Sequence, residues 1–264
     1  MSIFVRCLAT LFRKAGSLLA TLTLLLMALS LHASEPMRIA AAADLRYALD
    51  DIIAVYREKH PDATIEVVYG SSGKMTTQII NGAPYDLFFS ADIAYPEKLK
   101  EHGMTATEPR VYATGRIVIW SDSLDAADLT LEDLASEDIR RIAIAQPSHA
   151  PYGRRAKEAL QAAGVWEAVQ DKLVFGENIA HTAQMTRSGA AQVGIIALSL
   201  ARFPDMAKHG HHLIDSDLHN PLAQGYAVTR RGGEKPQARA FADYMASDEA
   251  HEIMSGYGFV MEAD

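Results

Sequence analysis

Two segments of this sequence decide its fold: Tyr-Gly-Ser-Ser-Gly-Lys at residues 69–74 and Ala-Ala-Ala-Asp-Leu at residues 41–45. Each segment follows a short apolar run and precedes apolar residues at helical spacing. A strand that ends in small residues where a helix begins leaves backbone N–H groups without intrahelical partners. Because these groups and the helix dipole both favour negative charge, two such helix starts side by side predict a site for a small oxyanion.

The pattern around these segments predicts an α/β fold in two lobes. Strand and helix patterns alternate from residue 37 to the helix that contains Leu99, and a second series begins with the apolar run at residues 116–120. This order is typical of parallel sheets flanked by helices, with ligands at the carboxyl ends of the strands. We expect the chain to cross between the lobes twice and the ligand to lie in the cleft between them. Lobe 1 then comprises residues 34–115 and 226–264, and lobe 2 comprises residues 116–225.

Residues 1–33 are predicted to be a signal peptide rather than part of the fold. Arg6, Arg13 and Lys14 form a basic start, residues 18–31 are almost continuously apolar, and the small residue Ala33 follows. A retained membrane anchor is the alternative, but the apolar run is shorter than the roughly 20 residues of a spanning helix. The sequence therefore predicts export with cleavage near Ala33.

Composition excludes several classes of function. The single cysteine, Cys7, lies inside the predicted signal peptide, so the mature chain has no disulfide, zinc–thiolate site or cysteine nucleophile. The whole chain has a formal net charge of −8, and losing the basic start makes the mature chain more acidic. Nucleic acid is not expected as a partner of such a surface. An anionic ligand must be held by local N–H dipoles, because the overall field repels it.

Several further motifs occur in a fixed order along the mature chain. They are Gly-Ala-Pro-Tyr-Asp-Leu-Phe-Phe-Ser-Ala-Asp at 82–92, Pro-Tyr-Gly at 151–153, Glu-Asn-Ile at 177–179, Gln-Val-Gly-Ile at 192–195 and Tyr-Gly-Phe at 257–259. Taken with the two opening segments, this ordered set resembles the molybdate-binding proteins that serve ABC importers in the bacterial periplasm.

The resemblance implies a two-lobe, type II periplasmic binding fold, each lobe a mixed and mainly parallel sheet flanked by helices. It implies a receptor, not an enzyme, that holds molybdate, and also tungstate, by hydrogen bonds alone. The implied contacts fall at Asp44, Ser72, Tyr152 and Ile179, the last through its backbone N–H. A further family contact falls at Ala197, which has no hydroxyl. The hydroxyl of Tyr152 is expected to supply the donor that Ala197 lacks.

The same resemblance implies the surroundings of the site. No cofactor and no direct protein ligand to a metal are expected, since the oxyanion itself is the transported ligand. The expected partner is the membrane permease of an ABC importer. The expected state is a monomer in the periplasm.

Asp44 departs from the hydroxyl residue that the family carries, and a carboxylate beside a dianion repels it. Two unit charges at 4 Å cost about 4 kcal/mol at an effective dielectric near 20. Three arrangements avoid this cost. Asp44 caps its own helix and offers only its N–H, or it is neutralised by Lys74 or Arg46. In the third arrangement it accepts a proton from a protonated oxyanion, which favours a phosphate-like ligand over a fully ionised one.

Two competing functions follow from the same residues. The first is a receptor for a different, protonated oxyanion such as phosphate. The second is a hydrolase with Ser72 as nucleophile and Asp44 as base, but the sequence shows no nucleophile elbow and no histidine at a recognisable position. His209, His211 and His212 lie in a loop-like segment whose spacing fits no helical pair of metal ligands, so no metal site is expected there.

Overall fold

The computed structural model describes residues 35–261. The predicted signal peptide, with its cleavage site near Ala33, lies outside these residues. No helix within residues 35–261 has both the length and the apolar character that crossing a membrane requires.

Strands and helices alternate along most of the described chain. The strands are β1 (Met37–Ala42), β2 (Ile65–Gly70), β3 (Leu87–Ser90), β4 (Arg110–Gly115), β5 (Ile117–Trp120), β6 (Ile142–Ala145), β7 (Leu173–Gly176), β8 (Val193–Ala197), β9 (His211–Leu213) and β10 (Leu222–Val228). The helices are α1 (Arg46–Lys59), α2 (Ser72–Ile80), α3 (Ala94–Glu101), α4 (Pro151–Ala162), α5 (Trp166–Val169), α6 (Ile179–Arg187), α7 (Leu198–Ala201), α8 (Pro236–Tyr244) and α9 (Asp248–Gly256).

The strands form two five-stranded sheets. The first has the order β2-β1-β3-β10-β4, and the second has the order β7-β6-β8-β5-β9. In the first sheet β2, β1 and β3 are parallel, and β10 runs antiparallel to both β3 and β4. In the second sheet β7, β6 and β8 are parallel, and β5 runs antiparallel to β8 and β9. This confirms the predicted fold of two mixed, mainly parallel sheets flanked by helices.

The chain passes between the two sheets at two places. The first passage is a single residue, Arg116, between the end of β4 and the start of β5. The second lies between β9 and β10. Because β10 begins at Leu222 and pairs with the first sheet along its length, the return precedes residue 222, whereas the sequence placed the boundary between residues 225 and 226.

Each sheet has its own apolar core, formed where amphipathic helices cover it. Helix α1 shows how: Leu49, Ile52, Ile53 and Tyr56 recur at spacings of three and four residues, so they share one face, and all four are buried. Full burial of one such side chain contributes roughly 1.5–3 kcal/mol. Helix α9 begins after Ser247, whose side chain accepts the Ala250 N–H as an N-cap. The C-terminal helices α8 and α9 pack into the core of the first sheet.

Candidate functional site

The segments at residues 41–45 and 69–74 lie side by side at one edge of the first sheet. β1 and β2 are parallel neighbours, and Ala42 at the end of one is level with Gly70 at the end of the other. Beyond these ends the chain enters a 3-10 turn, Ala43–Leu45, and helix α2, which begins at Ser72. The two helix starts therefore occupy the same edge of the sheet, as the sequence predicts.

The second sheet presents a matching edge. Ala145 at the end of β6 is level with Gly176 at the end of β7. The chain continues from these ends into α4, which starts with Pro151 at a position where a missing N–H costs nothing, and into α6, which starts at Ile179. Four helix starts, two from each sheet, thus face one region.

A narrow cavity of about 10 Å³ lies where these four helix starts meet. That volume admits about one water-sized group, far less than the roughly 300–1,000 Å³ of pockets for drug-sized ligands, so the site suits only a small solute. The structure brings together in its wall Asp44, Ser72, Tyr152 and Ile179, the four residues that the sequence proposed as contacts. The rest of the lining consists of alanines, glycine, serine and proline, and none of the described lining residues is basic.

Backbone N–H groups give the cavity its positive character. The N–H groups of Ser72 and Ile179 are the first of α2 and α6, and a first N–H has no partner within its own helix. The side chain of Asn178 caps α6 by accepting the His181 N–H at 2.9 Å, which leaves the Ile179 N–H available. These donors favour an anion without a charged side chain.

Ser72 is fully buried, and its hydroxyl already accepts one hydrogen bond within the protein. Its Oγ accepts the N–H of Ala91 at 3.1 Å. This bond occupies an acceptor position of the hydroxyl and leaves its proton free to donate. Ser72 can therefore offer two donors to an anion, its N–H and its O–H.

Asp44 is the acidic residue of the cavity, and it is 1% exposed. Its Oδ2 accepts a hydrogen bond from Gln224 Nε2 at 2.6 Å and another from the Tyr152 hydroxyl at 3.1 Å. Its Oδ1 is buried and has no hydrogen-bond partner within the described part of the chain. Burial raises the pKa of Asp44 from 3.8 to about 6, and hydrogen bonds from Gln224, Tyr152 and the backbone of Asp44 itself offset this only in part.

Two of the three arrangements considered for Asp44 are wrong. The turn at Ala43–Leu45 and helix α1 both begin without a side-chain cap, because the Asp44 carboxyl is turned toward Tyr152 and Gln224. Lys74 forms an exposed ion pair with Glu177 at 2.8 Å. Arg46, the other residue considered for neutralising Asp44, lies over the ring of Tyr69, 5.1 Å from its centroid. The arrangement that remains is the one in which Asp44 accepts a proton from a protonated oxyanion.

Two residues of the site escaped sequence reasoning. Gln224 Nε2 contacts both Asp44 and the Tyr152 hydroxyl, the latter at 3.0 Å, and Gln224 Oε1 accepts from the Tyr112 hydroxyl at 2.6 Å. Both residues lie on strands of the first sheet, distant in sequence from every motif. The only signal was a glutamine within the apolar run of β10, where a fully buried polar side chain requires partners.

The two sheets are joined across the cavity by direct contacts. The Gly73 N–H donates to the carbonyl of His149 at 3.0 Å, and a ring nitrogen of His149 lies 3.0 Å from Ser71 Oγ. The ion pair of Lys74 with Glu177 spans the same gap. These contacts hold the helix starts of the two sheets together beside the cavity.

The geometry gives no support to a hydrolase. Ser72 bonds to the Ala91 N–H rather than to a base, and the His149 ring contacts Ser71 instead. Asp44 contacts Tyr152 and Gln224. Within residues 35–261, no group of three or more His, Cys, Asp or Glu side chains could hold a metal ion.

Two helix-flanked sheets that enclose a small cavity, with helix N-termini from both, define a solute receptor of the type II periplasmic binding fold. The chain matches the family described as bacterial extracellular solute-binding protein over residues 37–260. It belongs to that family, whose members bind solutes and are not enzymes.

Named relatives share most of this chain. The molybdate-binding protein ModA of Rhodobacter capsulatus is 35% identical over 250 residues, covering 92% of this chain and 96% of the relative. ModA of Azotobacter vinelandii is 32% identical, covering 90% of this chain and 94% of the relative. The solved structure of the periplasmic molybdate-binding protein of Azotobacter vinelandii has a TM-score of 0.81 at 30% identity, covering 86% of this chain and all of that one.

Proposed function

We propose that this protein is an exported receptor that captures molybdate, and also tungstate, and delivers it to an ABC importer. The observation that carries the proposal is the cavity itself, in which four helix starts meet and no described lining residue is basic. Such a site holds an anion by oriented N–H and O–H groups. The relatives that share most of the chain bear the name of molybdate-binding proteins.

Each of the four proposed contacts has a distinct part in holding the anion. Ser72 donates its N–H and its hydroxyl, and Ile179 donates its N–H from the opposite lobe. The Tyr152 hydroxyl, which accepts from Gln224 and donates to Asp44 in this structure, can turn its proton to the anion. Asp44 contacts the anion from the first lobe. Donors from both lobes make closure and capture one event.

Discrimination among oxyanions then depends on fit. A cavity with fixed donors and no cation of its own binds best the tetrahedral anion whose oxygens reach all donors at once. A smaller anion of the same shape leaves some donors unpaired, and each unpaired buried donor costs about 1–3 kcal/mol. We infer that this cost separates molybdate and tungstate from sulfate.

The route of the solute completes the proposal. The basic start and apolar run of residues 1–33 support export to the periplasm with cleavage near Ala33. The receptor works there as a monomer, without a cofactor, and its partner is the permease of a membrane importer. Closure around the anion creates the surface that the permease distinguishes from the empty receptor.

Calorimetric titration with molybdate, tungstate, sulfate and phosphate tests the proposal. We expect tight binding of molybdate and tungstate, with sulfate and phosphate at least about tenfold weaker, because one unpaired donor is worth about 1.4 kcal/mol or more. Ser72→Ala should lose about tenfold or more for molybdate, since it removes a charge-assisted donor. Thr77→Ala, an exposed hydroxyl on the same helix, is the matched control. Heat with phosphate and none with molybdate would establish the phosphate receptor instead.

A further inference from the structure

The carboxyl of Asp44 has one oxygen that the protein itself leaves unused. Oδ2 accepts two hydrogen bonds, from Gln224 and Tyr152, whereas Oδ1 has none within residues 35–261 although the side chain is buried and lines the cavity. A buried oxygen without a partner costs about 1–3 kcal/mol. An unpartnered oxygen on a residue that lines a binding cavity points to a partner supplied by the ligand.

The chemistry of that partner restricts the state of Asp44. A fully ionised oxyanion offers acceptors only, and so does an ionised carboxylate, so the two cannot bond to each other. The arrangements that would keep the carboxylate charged are absent here, since Lys74 is paired with Glu177 and Arg46 lies over Tyr69. A neutral carboxylic acid, by contrast, has one O–H to donate.

We propose that Asp44 contacts the bound anion as the neutral acid, donating from Oδ1, and that capture of the anion takes up one proton from solution at this residue. The proposal rests on the function proposed above and deepens it. One O–H bond forms at Oδ1 and none breaks in the protein, so the receptor binds a dianion together with a proton.

Two neighbours position that proton. The Tyr112 hydroxyl donates to Gln224 Oε1, and this bond turns the amide N–H groups of Gln224 toward Asp44 and Tyr152. Oδ2 keeps the hydrogen bond from Gln224 when Tyr152 turns its proton to the anion, so the proton of the acid belongs on Oδ1. Gln224 and Tyr112 are therefore positioning residues for a contact that they do not make themselves.

The groups around Asp44 do not titrate in the same range. Tyr152 faces it from α4 and Tyr112 from β4, and burial holds the pKa of both hydroxyls well above 10. Gln224 on β10 is neutral, and Ser199 on α7, which donates to the Asp44 carbonyl at 2.8 Å, is neutral as well. Among these neighbours Asp44 is the group whose charge changes near neutral pH.

The linkage has a definite sign. Burial places the pKa of Asp44 near about 6 in the free receptor, and a dianion beside it raises that pKa further. Below about pH 6 the acid is already neutral, so this group adds no pH dependence to binding. Above it, the affinity falls by up to about tenfold per pH unit until the pKa of the complex is reached.

Calorimetry in buffers of different ionisation enthalpy measures the proton directly. With molybdate we expect an uptake of close to one proton per anion at about pH 8 and close to zero at about pH 5. Asp44→Asn keeps a donor of similar shape but cannot titrate, so its uptake should be near zero and its affinity flat with pH. Asp62→Asn, an exposed aspartate in the turn before β2, should behave as the original chain.

The outcomes separate this inference from the identity of the anion. Uptake near zero at about pH 8, or equal uptake in Asp44→Asn, overturns the inference even if molybdate binds tightly. If phosphate binds and molybdate does not, the proposed function fails; the difference in uptake between the original chain and Asp44→Asn with phosphate still decides, because titration of the anion itself cancels. If no anion in the panel binds, both proposals fall. Carboxyl carbon NMR of the ligand-free protein adds a further arm: titration of Asp44 at an ordinary aspartate pKa also overturns the inference.

Discussion

At the scale of single residues, the amide of Gln224 controls the chemistry of the cavity. It lies fully buried between three oxygen-bearing groups and contacts each of them: the carboxyl of Asp44 and the hydroxyls of Tyr152 and Tyr112. An amide carries both donors and an acceptor, so it satisfies a carboxyl and a hydroxyl from one side while accepting from another hydroxyl. A side chain with only donors, or with only acceptors, would leave one of these buried groups without a hydrogen bond.

Gln224→Leu removes a hydrogen bond that lowers the pKa of Asp44. Without it the carboxyl stays neutral to a higher pH, so the pH above which molybdate affinity declines should move upward, by about one unit if the bond is worth about 1.4 kcal/mol. Affinity measured across the range from about pH 5 to about pH 9 checks this. The exposed Gln78→Leu serves as the control. An unchanged profile in Gln224→Leu would show that the amide does not act on Asp44.

At the scale of elements, the site depends on helix starts that approach each other closely. α2 of the first lobe has Gly73 in its first turn, where the Gly73 N–H donates to the His149 carbonyl of the second lobe. A Cβ at Gly73 would lie 2.8 Å from that carbonyl oxygen, closer than side chains come to backbone. Only glycine lets the two helix starts close to this distance.

Gly73→Ala should therefore impair closure while leaving the first lobe folded. We expect molybdate affinity to fall by about tenfold or more, since one or more donors of the second lobe no longer reach the anion. The unfolding temperature of the ligand-free protein should stay the same or rise slightly, because alanine is the better helix former. Calorimetry and thermal unfolding measure the two effects. Gly256→Ala, at a helical glycine with open space around it, is the control, and equal affinity in both variants would contradict the role of Gly73.

At the scale of the whole molecule, the buried carboxyl of Asp44 lowers the stability of the fold when it is ionised. The folded state holds the Asp44 proton with a pKa of about 6, whereas the unfolded chain holds it near 3.8. Between these values the folded state binds more protons, so this group favours folding at low pH and loses that contribution as pH rises through about 6. The ion pairs on the surface are exposed and count for little beside it.

Asp44→Asn should reverse this loss in the ligand-free protein. Relative to the original chain, the variant should gain up to about 3 kcal/mol between about pH 4 and about pH 7, the value of a shift of roughly two pKa units. Urea unfolding at both pH values, with Asp62→Asn as the control, measures the gain. A constant difference between the two chains at the two pH values would show that Asp44 ionises without cost in the fold.

Local patterns in the sequence were sufficient for much of this molecule. Apolar runs and helical spacing specified the alternating strands and helices, and the small residues after β1 and β2 specified the two helix starts of the first lobe at the cavity. The ordered motifs matched the family. These features are encoded within a few neighbouring residues, so they can be read without coordinates.

The tertiary structure decided the rest. It placed Asp44, Ser72, Tyr152 and Ile179 around one cavity, and it paired Lys74 with Glu177, away from Asp44. It also brought Gln224 to the carboxyl across 180 positions of the chain. Which residues surround a buried acid depends on sheet order and on the approach of two lobes, and no local pattern records either. The sequence by itself therefore determined the fold and the helix starts that line the cavity, and the packing of distant strands decided which groups surround Asp44.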